Sequence, residues 1–277
     1  MTTLIPEISF EYDCGATTAI TVGHCTRQRV VPATVCVSPV GSRSRIELDG
    51  KTFYVTAPDS FIIPRDAPHC ITVIEGKDPI ESIWCHIRIN VFHDLDLLRF
   101  YQTPHYFTGA VATAFRQAIL DLNAAVEAPP SVAQAFQQQY CGMKLANVIV
   151  EASELKDETV ARLTDFQRLA PVLKFMQERL GQPVTLTELA SVLNLSPSRF
   201  SGLFQQIVGQ APVAYFNRLR IRRAQNLLLN SGQSMSELAE QLGFYDVYHF
   251  SHRFKQTVGI SPKQYRAQVM AGLWPET

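Results

Sequence analysis

The chain has 277 residues, of which 46% are hydrophobic, and it carries 25 basic and 25 acidic side chains. This composition excludes intrinsic disorder, which requires low hydrophobicity and a high net charge. No apolar run approaches the roughly 18–20 residues that span a bilayer, and the first fifteen residues lack the basic and apolar regions of a secretion signal. We therefore expect a cytoplasmic protein without membrane contact, built from two domains at about 100–200 residues per domain.

The net charge of zero is unevenly distributed along the chain. Residues 1–170 carry 14 basic and 19 acidic side chains, and residues 171–277 carry 11 basic and 6 acidic ones. The two parts therefore have net charges of −5 and +5. A basic segment beside an acidic one is a weak indication that the basic part binds a polyanion.

The first hundred residues are rich in β-branched residues and interrupted by turns. The pair Asp49-Gly50 lies between two short alternating runs and predicts a hairpin, because both turn residues must adopt positive φ. Many short strands at this spacing favour a small barrel or sandwich over residues 1–108. The strand candidates are Arg29–Val37, Ser44–Leu48, Thr52–Thr56, Phe61–Pro64, Cys70–Glu75 and Ile83–Val91.

Two helices are predicted next, over Ala110–Val126 and Ser131–Ala152, and Ser131 is placed to cap the second. This hairpin, residues 109–152, is expected to cover the barrel or to pair with a second subunit in a homodimer. Residues 153–165 are charged and are the expected linker, although they could themselves be helical.

Residues 166–277 predict an all-α domain of seven short helices that contains an internal repeat. The segments Leu186–Phe204 and Met235–Phe254 match at an offset of 49 residues before a turn and 50 after it. Each copy has a short helix with Leu-Ala on its inner face, a tight turn, and a second helix that starts at a capping residue, Ser196 or Asp246. The repeat predicts two helix-turn-helix units.

The second helix of each copy has one apolar stripe and an opposite polar face. Such a face enters the major groove when the helix docks as recognition helices do. The alternative is a merely solvated face, which the repetition in a basic segment disfavours. The candidate DNA contacts are Ser198, Arg199, Ser201, Gly202 and Gln205 in the first copy, and Tyr248, His249, Ser251, His252, Lys255 and Gln256 in the second.

One long helix, Pro212–Asn230, is predicted to join the two units. Its periodicity places Arg220 within the apolar arc, where we interpret it as a buried, paired structural residue. Arg218 and Arg222 fall on the other face and are candidates for contacts with DNA phosphates.

Residues 168–268 resemble the AraC/XylS family of transcriptional regulators. The resemblance rests on Ser-Glu-Leu-Ala-Glu-Gln-Leu-Gly-Phe at 236–244, on Phe-Ser-His-Arg-Phe-Lys at 250–255, and on Gly-Ile-Ser-Pro at 259–262. It implies that two recognition helices enter successive major-groove segments. The family's base-reading positions fall on Ser198, Ser201, Gly202, Tyr248, Ser251 and His252. At Gly202 many members carry a long polar or basic residue, so the first unit is expected mostly to grip the DNA backbone.

The resemblance also implies a fold and a role for the first half of the chain. The α+β multidomain architecture would join a cupin-like β-barrel, which binds a small-molecule effector, and a helical dimerisation segment to the DNA-binding domain. The implied protein is an activator that contacts RNA polymerase. Candidate effector-binding residues are His69, in a segment similar to such barrels, and Trp84, His86 and Arg88, which share one face of a predicted strand.

Two alternatives remain open for the first half. It could serve only dimerisation and partner contacts, without an effector, or it could be a cupin-type enzyme. Metal-binding cupins need clustered histidines, whereas here the histidines are scattered and no His-x-His pair occurs. The sequence therefore predicts no enzyme activity, no catalytic residues, no metal and no cofactor.

Overall fold

The computed structural model describes residues 8–26, 28–92, 95–157, 159–230 and 232–270. The strands are β1 (Ile8–Ala19), β2 (Thr34–Leu48), β3 (Lys51–Thr56), β4 (Ser60–Ile63), β5 (His69–Val91), β6 (Leu95–Asp96), β7 (Tyr101–Gln102), β8 (Tyr106–Phe107) and β9 (Glu154–Leu155). The helices are α1 (Gly109–Glu127), α2 (Val132–Glu151), α3 (Thr159–Glu178), α4 (Leu186–Ser191), α5 (Pro197–Val208), α6 (Pro212–Asn230), α7 (Met235–Gln241), α8 (Val247–Val258) and α9 (Pro262–Met270). A 3-10 helix covers Leu97–Phe100.

The first half forms an antiparallel sheet in the order β1-β5-β2-β4-β8, with β3 paired to β2 and β6 paired to β5. Helices α1 and α2 cover one face of this sheet, and their buried side chains share an apolar core with the inward residues of β5. The second half is helical. The prediction of an α+β chain, with a sheet domain before a helical domain, is confirmed.

Some strands are longer than predicted, because they continue through residues that were expected to form turns. The hairpin at Asp49-Gly50 is confirmed, with φ of 49° and 75° at the two residues. The predicted break near Gly41 is instead a bulge inside β2, where φ is 66° and the register with β5 shifts. A glycine in this conformation lets a strand bend and continue instead of ending.

The segment predicted as a linker, residues 153–165, is largely regular structure. Leu155 pairs with Tyr101 between β9 and β7, and α3 begins at Thr159. Phe166 then packs between Phe92 and Phe100, with ring centroids 6.4 and 5.5 Å away. Because these aromatic side chains join the end of the sheet to the helical half in one apolar cluster, the connection is packed instead of free.

The seven helices that follow residue 158 in the described part of the chain match the predicted number. Arg220 is buried on α6, as predicted; its Nε donates to the Leu180 carbonyl oxygen at 3.0 Å, and Nη2 donates to that of Gln182. Its guanidinium also lies over the rings of Phe216 and Phe244, at 4.6 and 5.5 Å. Among the described helices, none is both long and apolar enough to cross a bilayer.

Two helical glycines have opposite surroundings, which generates a stability prediction. A Cβ added at Gly142 on α2 would overlap the buried ring of Phe10, whereas a Cβ at Gly202 on α5 would meet no atom within 4 Å. We expect Gly142→Ala to lower the free energy of unfolding by about 1–3 kcal/mol through overpacking. The matched change Gly202→Ala should raise it by up to about 1 kcal/mol through helix propensity. Chemical denaturation of both variants measures this, and equal effects would contradict the packing of α2 on the sheet.

Candidate DNA-binding surface and effector cavity

The two candidate recognition helices, α5 and α8, begin and end in the same way. The Ser196 side chain accepts a hydrogen bond from the Arg199 N–H at 3.4 Å, and Asp246 accepts one from the His249 N–H at 2.6 Å. Both predicted capping residues are confirmed. Each helix ends at a glycine in the left-handed conformation, as helix C-termini favour. These caps fix the ends of both helices in equivalent positions within the repeat.

The apolar stripes of α5 and α8 are anchored by two phenylalanines each. Phe200 and Phe204 of α5, like Phe250 and Phe254 of α8, are fully buried. The second ring of each pair contacts a tyrosine from the following helix, with centroid distances of 5.5 and 5.4 Å. Burial of these stripes turns the opposite face of each helix outward.

The outward faces carry the side chains predicted to meet DNA. On both helices the serine nearest the stripe, Ser201 or Ser251, is half-buried, and the other predicted residues are exposed. Tyr248 has 82% of its surface exposed. The exposed members are Ser198, Arg199, Gly202 and Gln205 on α5, and Tyr248, His249, His252, Lys255 and Gln256 on α8.

Two further exposed side chains lie on or beside α8. Arg253, exposed on α8, donates to the Gln256 side chain at 3.1 Å, and Tyr245, 92% exposed, stands just before the cap. Sequence reasoning missed both residues, because Tyr245 lies in the turn and Arg253 lies between the stripe and the polar face. A large aromatic side chain exposed to this extent is informative, but its exposure is seen only in the structure and not in the sequence periodicity.

The expected phosphate contact of Arg222 is wrong for this arrangement. Arg222 is buried, and its Nη2 lies 2.9 Å from Oδ2 of Asp66 in the sheet domain. Arg218 is half-buried, with its guanidinium 5.8 Å from the Tyr215 ring centroid. Both arginines line a cleft between α6 and the sheet domain. The face of α6 that periodicity left polar therefore meets the first domain and not solvent.

A cavity of about 180 Å³ lies inside the sheet domain. Trp84 and His86, both predicted to bind an effector, line it; their rings are 5.1 Å apart, and the Trp84 indole N–H donates to Thr18 at 3.0 Å. The remaining lining residues are Ile20, His24, Thr26, Arg29, Val35, Val37, Pro39, Ser44, Phe61, Ile71, Val73 and Ser82.

Arg29 is the cationic side chain of this lining, and His69 holds it in place. The Nε of Arg29 donates to Nε2 of His69 at 3.2 Å, while Nδ1 of His69 lies 2.9 Å from the Ala67 carbonyl oxygen. Burial, and then the nearby guanidinium, lower the pKa of His69 to about 4 against the opposing Ala67 hydrogen bond. Burial also lowers the pKa of His86. Both imidazoles are therefore neutral at physiological pH, whereas Arg29, with a pKa lowered by burial to about 10, stays charged.

The other two predicted effector residues do not line the cavity. His69 stands behind Arg29 as its hydrogen-bond acceptor. Arg88 forms ion pairs with Glu11 at 3.0 Å and with Asp13, and it donates to Asn226 of α6 at 2.8 Å. Strand alternation put Arg88 on the same face as Trp84 but could not reveal that the helical domain covers that end of β5. Within the described residues, no group of three His, Cys, Asp or Glu side chains is placed to hold a metal.

Comparison with known proteins places the helical domain. The family model described as Helix-turn-helix domain matches residues 189–268. The MmsAB operon regulatory protein of Pseudomonas aeruginosa is 29% identical over 149 residues, which cover 50% of this chain and 47% of that protein. The chain thus spans about half the length of this curated relative. The DNA-binding domain of AdpA, a global transcriptional factor solved with a target DNA, is 30% identical; the match covers 38% of this chain and 95% of that one, with a TM-score of 0.37.

The helical half therefore carries a helix-turn-helix domain of the AraC type, and the relatives that it matches are AraC/XylS-family regulators. Over nearly its full length, the chain also has the fold of ToxT from Vibrio cholerae, solved with a bound unsaturated fatty acid. The match covers 98% of this chain and 99% of that one, with a TM-score of 0.55 and 13% identity. At that identity the likeness concerns the fold alone, a sheet domain followed by a helical one.

The exposed side chains of α8 generate a specificity prediction. We expect Tyr248→Ala and His252→Ala each to weaken binding to the preferred DNA site by about 1–3 kcal/mol and to relax base preference at particular positions. Thr257→Ala is the matched control, because this exposed residue of the same helix donates its hydroxyl to the Arg253 carbonyl. Binding-site selection followed by sequencing measures the preference of each variant. A larger loss of preference on changing Gly202 than His252 would contradict readout by α8.

Proposed function

We propose that this chain is a transcriptional regulator that reads DNA with two helices carried by one polypeptide. The observation that carries the proposal is the pair of equivalently capped helices, α5 and α8, whose polar faces are exposed while their phenylalanine stripes are buried. Phosphate contacts to the basic segment would supply affinity, and base contacts from these faces would supply sequence preference.

The length of α6 supports simultaneous use of both helices. Its 19 residues span about 28 Å at ~1.5 Å per residue, close to the ~34 Å that separates successive major-groove segments on one DNA face. The faces differ in chemistry, with Ser198, Ser201 and Gly202 on one helix and a tyrosine and a histidine on the other. One subunit would therefore read an asymmetric site.

Footprinting tests this geometry. The full chain at low concentration, and residues 166–277 as a fragment, should each protect two adjacent major-groove segments on one face of the duplex. Affinity should fall steeply as salt rises, because bound phosphates release counterions. Protection of a single groove segment, or an absolute requirement for a palindrome, would show that the two helices do not act together.

We also propose that a small-molecule effector in the cavity of a cupin-like sheet domain controls DNA binding, and that the controlled protein is an activator that contacts RNA polymerase. Strand β5 contacts both the cavity and the helical domain. Its His86 lines the cavity, and Arg88, two residues further along the strand, donates a hydrogen bond to Asn226 of α6. The fatty acid bound by ToxT supports an effector role for this fold. An effector-independent first domain is the alternative.

A homodimer through α2 is the third part of the proposal. Four apolar side chains follow one face of this helix, at 132, 136, 140 and 143, and three of them are largely exposed: Val132 (76%), Phe136 (74%) and Tyr140 (66%). A contiguous exposed apolar stripe commonly marks an interaction surface. A second copy can cover it through a two-fold axis, since the same patch then meets itself.

The stripe predicts the effect of one charge on association. We expect Phe136→Glu to shift the chain from dimer to monomer in sedimentation velocity, with unchanged thermal stability of the monomer, because Phe136 contacts solvent and not the core. Gln137→Glu is the control, since it adds the same charge at an exposed neighbour about a third of a turn away from Phe136. Equal dimerisation by both variants would remove α2 from the proposed interface.

A further inference from the structure

We propose that the effector is a small monocarboxylate with an apolar body, whose carboxylate is bound by Arg29 inside the cavity of the sheet domain. This inference rests on the proposed effector control and names the chemistry of the ligand. It follows from the charge, the hydrogen bonds and the shape of the cavity lining.

Arg29 is a charged donor of the cavity lining, and its Nε donates to His69. No hydrogen bond or ion pair to its two terminal nitrogens occurs within the described residues. Among the described residues, no aspartate or glutamate lines the cavity. Arg29 is half-buried, and a partly desolvated guanidinium without a counter-ion is unfavourable, so an anionic ligand would supply a partner.

The two buried histidines near Arg29 add no charge to the site. His69 and His86 both have pKa values lowered by burial, so each is neutral. The hydrogen bond from the Arg29 Nε to His69 restrains the guanidinium plane of this lining residue. A planar guanidinium binds a carboxylate through two parallel hydrogen bonds, which a neutral amide cannot reproduce.

The rest of the cavity is suited to an apolar group of about the size of one ring. Phe61, Trp84 and Ile71 line it together with the side chains of Val35 and Val37. Its volume of about 180 Å³ is somewhat larger than the ~150 Å³ of an engineered apolar cavity that binds benzene. A ring or a short alkyl chain with one carboxylate therefore fits, whereas a long-chain acid would exceed the space.

The same lining disfavours two other ligand classes. A polyamine needs carboxylates to bind its ammonium groups, and the described lining has none. A sugar is usually held by carboxylate and amide side chains that accept from its hydroxyls, and here the available polar groups are Arg29, two histidines and the hydroxyls of Thr18, Thr26, Ser44 and Ser82.

The experiment compares acids with neutral isosteres on the full chain. Benzoate, cyclohexanecarboxylate and hexanoate are each titrated against their primary amides, with inorganic phosphate as the anion without an apolar body. Binding is followed by the fluorescence of Trp84 in a Trp274→Phe background, where Trp274 lies outside the described residues, and by calorimetry. At least one carboxylate should bind about tenfold or more tightly than its amide, because only the carboxylate adds an ion pair and a second acceptor oxygen for the guanidinium.

Two variants assign the preference to the proposed residue. Arg29→Gln removes the charge, so its affinity for the carboxylate should fall to that for the amide. Arg43→Gln is the matched control, because Arg43 is half-exposed, pairs with Glu75 and lies outside the cavity lining. Circular dichroism and binding of DNA by each variant confirm that it is folded. If Arg29→Gln does not fold, the comparison of acid and amide in the unsubstituted chain still decides.

Three results would overturn the inference. Equal affinity for acids and amides would leave an effector cavity in place but remove its anionic character. If phosphate bound as tightly as the carboxylates, the apolar lining would contribute nothing to the affinity for the ligand. No binding of any carboxylate at millimolar concentration would exclude this ligand class. None of these results depends on the DNA footprint, which tests the regulator role separately.

Discussion

The placement of the two candidate recognition helices depends on one buried arginine. Arg220 lies on the helix between them and donates to the carbonyls of Leu180 and Gln182, which belong to the turn after α3. At the same point Gly243, in the turn after α7, approaches Gly181 so closely that a Cβ at either glycine would overlap backbone. The turn before the first helix pair and the turn within the second therefore touch, with the guanidinium between them. A rigid pair follows, since neither unit can rotate without breaking buried hydrogen bonds.

A second constraint joins this rigid helical half to the sheet domain. Arg222 and Asn226, one turn apart on α6, reach Asp66 and Arg88 of the sheet domain, and Phe166 is packed between two phenylalanines of that domain. The contacts are polar along α6 and apolar near α3. A change in the sheet domain that moves Asp66 or Arg88 would therefore act directly on α6.

The sequence predicted what depends on local chemistry and missed what depends on contacts between distant segments. Caps at Ser131, Ser196 and Asp246, the Asp49-Gly50 turn and the buried Arg220 follow from neighbouring residues, and each is confirmed. Strand β1 was missed because its pairing with β5 is 60 or more residues away and its sequence includes polar residues and Gly15. Arg222 looked like a surface residue because periodicity shows that a face is polar but not which domain covers it. Arg29 gave no local signal, since its importance depends on the side chains that share the cavity with it, and the described ones include no acid.

The described acidic residues of strand β1 pair with Arg88 and not with Arg29. Glu11 and Asp13 lie on strand β1, and both form ion pairs with Arg88 at the contact with the helical domain. Cys14, the next residue along, lies beside Arg29 as a thiol whose pKa is raised by burial, so it stays neutral and supplies no charge. Arg88 therefore has two carboxylate partners, whereas no ion pair of Arg29 occurs among the described residues. A half-buried charge without a counter-ion is unfavourable for the folded domain, and a ligand that neutralises it would stabilise the domain by mass action. Because β5 carries both His86 of the cavity and Arg88 of the domain contact, that stabilisation would act on the strand that touches α6.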